Sequence, residues 1–221
     1  MDNGPYLRDL SGWIYTGMWH TCPEYPGAEI SELPPPAFLP ADSPVYLQQF
    51  LIGGQTGTYI ESRAHVDSAA PPVSDFPLDD FCRPAVVFPV GPKAAGEPVT
   101  LADLQRTEVE LRPGDAALIC TGWDAHWDQP DFVSGSPYIQ GEAGAWLIAQ
   151  GIGLLGGDLP CFDLPQRQFP WAEFWARVPL LLAPLANLGG LQGRCGRLLC
   201  LPLKIRGAAA TPCRAALLRE N

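Results

Sequence analysis

QTGTYIESRAH, residues 55–65, sets four side chains that can hydrogen-bond or move a proton, Gln55, Tyr59, Glu61 and His65, around a Gly57-Thr58 pair. A carboxyl group and an imidazole four residues apart can work as an acid/base pair. A Tyr hydroxyl can donate to a carbonyl oxygen, and a Gln amide can orient an amide or an acid. The bland alternative is a polar cluster, mutually hydrogen-bonded and inert. Because all four side chains keep hydrogen-bonding capacity, a working pocket is the favoured reading.

Outward from this stretch the chain declares short elements. PAVVFPV (84–90) and AALICTGW (116–123) are apolar runs bounded by Pro or Gly, the pattern of buried strands. Between them Thr100 is placed to cap a helix over LADLQR, and LRPGD (111–115) is a turn feeding the second strand. GEAGAWLIAQG (141–151) has helical spacing and ends on Gly151, a natural stop. GIGLLGGD then reads as a strand and RLLCLPLKI (197–205) as another. Alternating strand, helix and strand indicates an α/β fold. SELPPPAFLPADSP (31–44) is too rich in Pro for a helix interior or a central strand, so it is expected as an ordered surface loop within one domain spanning residues 1–221.

With 221 residues, 47% of them hydrophobic, the chain can bury one substantial core and needs no second. A formal net charge of -10 repels phosphate backbones and anionic lipid, which argues against nucleic acid or membrane partners and leaves a small molecule. The seven cysteines are odd in number, scattered and without a C-x-x-C pair, as expected of reduced thiols in the cytoplasm. No basic, apolar leader and no run of about 18 apolar residues is visible.

Five blocks carry a family likeness in order: DLSGWIYTGMWHTCPEYPG (9–27), QTGTYIESRAH (55–65), LRPGDAALICTGWDAHW (111–127), EAGAWLIAQGIGLLGGDLPCFD (142–163) and LPLKIRGAAATPCRAALL (201–218). The chain resembles the cyclase family that includes bacterial kynurenine formamidases and isatin hydrolases. The resemblance implies a swivelling β/β/α fold, a homodimer or homotetramer, and hydrolysis of a cyclic or formyl amide by metal-activated water. It also places Glu61 on a strand and His65 in the loop after it.

In that family the motif H-x-G-T-H-x-D-x-x-x-H gathers imidazoles and a carboxylate around one divalent ion, which lowers the pKa of bound water. Here its positions hold Gln55, Tyr59, Glu61 and His65. A downstream Glu of the family aligns with Ala183, and a second His with the QFPWAEFW segment, nearest Trp171. Glu61 and His65 are the ordinary ligands that remain, since Gln is a weak ligand and a phenol binds well only when deprotonated. These donor rules favour no tightly held ion over a weakly held zinc or manganese.

Trp19 and Trp171 are candidates to line a pocket for a flat substrate, although core packing is the commoner fate of a Trp. Asp158 matches a G-x-D of the family that supports the site, and a turn cap is the equal alternative. His20 and His126 read more readily as a loop bystander and as a surface or lid residue. Two functions stay open: a hydrolase, or a related lyase or isomerase, using Glu61, His65 and Tyr59 on a small amide, formamide or cyclic carbonyl compound, and a non-catalytic binding relative.

Overall fold

The computed structural model describes residues 6–19, 21–22, 24–40, 42–163 and 168–219. Its strands in the first half are β1 (Leu7–Asp9), β2 (Glu29–Leu33), β3 (Leu47–Leu51), β4 (Tyr59–Ser62), β5 (Cys82–Pro89) and β6 (Pro98–Val99). The second half adds β7 (Ala116–Cys120), β8 (Tyr138–Ile139), β9 (Leu154–Gly157), β10 (Leu180–Ala183), β11 (Gly193–Pro202) and β12 (Ala210–Leu218). The α-helices are α1 (Leu101–Arg106), α2 (Gly141–Ala149) and α3 (Trp171–Arg177).

Strands β5, β7, β9 and β10 run parallel, and each crossover between them carries one of the helices. This is the connection that parallel strands require. Antiparallel strands β4, β12 and β11 complete the circuit from β10 back to β5, so seven strands close into a barrel with β1 paired outside on β12. Closure removes the free sheet edges that would otherwise invite pairing with another chain.

The near-continuous apolar runs follow from this closure, because both faces of the parallel strands are buried. Ala85, Val87, Leu118, Leu180 and Leu182 face a core inside the barrel with Ile60, Leu198 and Leu217. Their neighbours Val86, Phe88, Ile119, Leu155 and Leu181 face outward, under a layer that includes Leu104, Leu147, Phe174 and Trp175 of the helices. The mixed α/β expectation holds, with the barrel as the feature that periodicity did not reveal.

Local expectations meet the structure in detail. Thr100 caps α1 in a capping box, its side chain accepting from Asp103 N while the Asp103 carboxylate accepts from Thr100 N. Helix α2 stops at Ala149, and Gly151 follows with φ +73°. The strand expected to run through TGW ends instead at Cys120, because Thr121 and Gly122 give their backbone N–H groups to Asp158 and leave the ladder. The loop expected over 31–44 begins as strand: Ser31–Leu33 finish β2 and pair with Gln49–Leu47 of β3. The β2–β3 pair forms a separate two-stranded sheet.

Candidate active site

Position on β4 sorts the motif's side chains. Tyr59 and Glu61 are two apart and share one face, while Ile60 between them enters the barrel core. In register Glu61 lies opposite Leu181 and Tyr59 opposite Ala183, which places both on the outer, helix-covered face. The surviving Gly57-Thr58 pair serves the backbone. Gly57 turns with φ +65° and has Ile14 Cγ1 at 2.5 Å from where a Cβ would stand. Thr58 Oγ1 donates to Pro184 O at 2.7 Å and accepts from Gly12 N at 3.2 Å, tying β4 to two distant segments.

On that face lies a cavity of about 980 Å³. Gln55, Tyr59, Glu61 and His65 all line it, so four residues that the sequence set together do converge. Trp171, Ala172, Trp175 and Ala176 of α3 form the facing wall, and Pro160–Asp163, the loop after β9, closes one side. Arg63 and Asp67, an ion pair at 3.0 Å and partly open to solvent, flank the cavity next to His65.

Glu61 is 4% exposed, and burial pushes its carboxyl up to about 7 against an opposing hydrogen bond from Gln55 Nε2 to Oε2 at 2.8 Å. No other described side chain or backbone group is bonded to this carboxyl group. Tyr59 is buried, and loss of water together with the nearby Glu61 carboxylate holds its phenol well above the usual range, so it keeps its proton. Gln55 and Thr21, beside its hydroxyl, oppose this rise without outweighing it. His65 ends a short 3-10 turn, Arg63–His65, capped by Ser62 Oγ accepting from Ala64 N at 3.3 Å. Its imidazole lies on the solvent side of the cavity, where partial desolvation lowers its pKa.

The other expected residues fall into place variously. Trp171 lines the cavity and donates through Nε1 to Asp163 Oδ2 at 2.8 Å. Trp19 lies outside the lining, in an aromatic cluster with Trp127 and Phe132 and with its Nε1 on Trp127 O at 3.2 Å. Asp158, fully buried, is also outside the lining and acts as a turn cap. Its Oδ1 accepts from Thr121 Oγ1 at 2.6 Å and from Thr121 N at 2.8 Å, and its Oδ2 from Gly122 N at 2.8 Å. Burial still pushes this carboxyl up to about 6. His126 stacks on Trp123 at 4.0 Å, away from the cavity lining, and His20 lies outside the described residues. Thr21, Cys161, Phe162 and Asp163 line the cavity without having been singled out in the sequence. Their one signal was membership in the blocks 9–27 and 142–163.

A divalent ion does not fit this donor set. Among the described residues no group of three His, Cys, Asp or Glu side chains is placed to hold one. Gln55 spends an amide N–H on Glu61, the Tyr59 phenol stays protonated, and Ala183 presents only a methyl group opposite Tyr59.

Comparison with known proteins agrees with this architecture. The family model described as "Putative cyclase" matches residues 9–164. The chain is 32% identical over 186 residues to a kynurenine formamidase of Salinibacter ruber (strain DSM 13855 / M31), covering 80% of this chain and 81% of that one. It is 30% identical over 176 residues to a kynurenine formamidase of Geobacillus thermodenitrificans (strain NG80-2), covering 78% and 80%. Isatin hydrolase A from Ralstonia solanacearum superposes with a TM-score of 0.81 at 21% identity, over 97% of this chain and 92% of that one, a likeness of fold. A family model spanning most of the chain and relatives of this identity leave one conclusion: the chain belongs to the cyclase family.

Proposed function

We propose that this protein is a hydrolase of a small amide, formamide or cyclic carbonyl compound, in which Glu61 and His65 move the protons and no divalent ion is tightly held. One observation carries the reading. A nearly buried carboxyl group, pushed up to about 7, shares a roomy, aromatic-walled cavity with a phenol that keeps its proton and an imidazole whose pKa is lowered. Paired groups with opposed shifts are what acid/base catalysis near neutral pH needs. The sequence relatives, kynurenine formamidases, support the substrate class.

The chemistry balances without another reagent. Neutral His65 takes a proton from water as its oxygen adds to the carbonyl carbon, and Tyr59 donates a hydrogen bond to the carbonyl oxygen as charge grows there. The C–N bond breaks as Glu61 gives its proton to the leaving nitrogen. Proton return from His65 to Glu61 through solvent resets the site. Activity then requires neutral His65, lost as pH falls below its lowered pKa, and protonated Glu61, lost as pH rises through about 7.

Turnover of aryl formamides and cyclic lactams across pH, beside elemental analysis and titration with zinc and manganese, tests this. The expected result is a bell whose alkaline limb lies near pH 7, at least a hundredfold loss in Glu61→Gln and in His65→Ala with the fold intact, and indifference to either ion. Activity that climbs steadily with pH, or that appears only with stoichiometric metal, overturns it.

The remaining assignments rest on the same surroundings. The chain forms one domain over residues 1–221, since β4 of the first half closes the barrel between β10 and β12. Its cysteines are free thiols, which suits the cytoplasm. Self-association uses the β2–β3 arm. There Phe38, Tyr46 and Phe50 are 84%, 69% and 60% exposed, with Leu33, Val45, Leu47 and Leu51 also open to solvent. Three such aromatics expose on the order of 400 Å² and the aliphatic side chains about 300 Å² more, close to the ~800 Å² each partner covers in a standard interface. An antiparallel ribbon is self-complementary about a two-fold axis, so the partner is a second copy.

A further inference from the structure

The wall opposite Glu61 and Tyr59 is made by one short helix. Trp171 and Trp175, one turn apart on α3, present rings inclined by only 20° with centroids 6.1 Å apart, and both line the cavity. At that separation the two rings stack on each other, and the pair lines the cavity as one aromatic unit. Trp175 is held by the core, 9% exposed and packed edge-on against Phe174 at 4.7 Å. Trp171 is only half buried, and a half-buried indole at the first residue of a helix needs a further restraint.

Asp163 supplies that restraint. Its Oδ2 accepts from Trp171 Nε1 at 2.8 Å and its Oδ1 from Phe169 N at 2.7 Å, so one carboxylate fixes both the backbone entering α3 and the indole that begins it. Phe169 in turn packs on Trp171 with centroids 4.5 Å apart. The Pro170 N-cap makes no side-chain capping bond, which leaves Asp163 as the polar tie at this end of the helix. Charge-assisted hydrogen bonds of this type are roughly twice as strong as neutral ones and fix orientation.

We infer that Asp163 is a positioning residue that sets the plane of Trp171, and that the Trp171–Trp175 surface it completes decides specificity by stacking the aryl ring of the substrate. The inference rests on the proposed hydrolase for its kinetic readout, and on binding alone for an independent one. A fixed indole face costs a flat ligand less entropy than a rotating one, so the effect belongs in binding.

The experiment pairs Asp163→Ala, Trp171→Phe and the double variant, read by steady-state kinetics on formanilide and by equilibrium dialysis of formanilide and its non-aromatic counterpart N-methylformamide. Asp163→Ala should raise KM about tenfold with kcat changed less than threefold, and weaken formanilide binding in step while leaving N-methylformamide unaffected. Trp171→Phe removes the indole N–H without touching the Phe169 bond and should do the same. The double variant should be no worse than the poorer single one, since both delete one interaction. Multiplying effects, a loss confined to kcat, or equal weakening of both ligands overturns the inference. Should Asp163→Ala fail to fold, Trp171→Phe alone decides, and formanilide binding unchanged in it overturns the inference. Dialysis behaving as expected with no turnover by the parent protein keeps the inference and overturns the hydrolase. A parent protein that binds no formanilide overturns the inference.

Discussion

Glu61 carries a cost that becomes visible as pH rises. Its folded-state carboxyl titrates at about 7 against a reference of 4.5, so the folded chain holds the proton more tightly than the unfolded one. The stability that this proton brings is complete below pH 4.5 and is lost as pH rises through 7. The difference corresponds to roughly 3 kcal/mol above that window. Glu61→Gln keeps the shape and a hydrogen bond to Gln55 while abolishing the charge. It should therefore raise stability at pH 8 by up to about 3 kcal/mol and change little at pH 4, as urea unfolding at the two pH values would show. Equal shifts at both would mean that the carboxyl is not held neutral. The candidate residues Gln55, Tyr59, Glu61 and His65 were legible because one short stretch of backbone carries them. Trp19 was not separable from Trp171 by sequence, since an indole that packs on Trp127 and one that lines a cavity look alike until their neighbours are known.

At the scale of elements, Asp158 shows how a carboxylate can end a strand. By taking the N–H groups of Thr121 and Gly122 it stops β7 at Cys120 and pins the turn that begins with Gly122 to the end of β9. Asp158→Ala would leave these buried donors unpaired and should cost about 2–4 kcal/mol, measured by denaturant unfolding, with weakened hydrogen-exchange protection at Thr121 and Gly122. A change within experimental error would show that water replaces the carboxylate. The end of β7 was missed in the sequence because nothing local interrupts AALICTGW. The interruption comes from a residue 37 positions away. The start of β2 within SELPPPAFLPADSP was hidden for the complementary reason, as Pro34 onward dominated the reading while Ser31–Leu33 found partners in β3.

At the scale of the whole molecule, the β2–β3 arm stands outside the barrel, and every residue of its second strand is exposed. Isolated two-stranded ribbons are marginal in water, so this one should be ordered by a second copy. Phe50→Asp on the arm should convert a dimer to a monomer by sedimentation or light scattering at micromolar concentration, with the barrel's thermal transition retained. A parent protein monomeric at that concentration would refute the association. Among the described residues no helix is long and apolar enough to cross a membrane.

The sequence by itself determined the alternation of strands and helices, the cap at Thr100, the stop at Gly151 and the local grouping of the polar residues, because each depends on neighbours a few positions away. It also carried the family likeness, which is a property of ordered blocks. Tertiary structure alone decided that the sheet closes, that Tyr59 and Glu61 face α3 and not the barrel core, and that Asp163 holds Trp171. Those outcomes depend on pairings between residues far apart in the chain. So does the carboxyl at about 7: a glutamate's pKa is set by the water it loses, and the sequence does not say how much water that is.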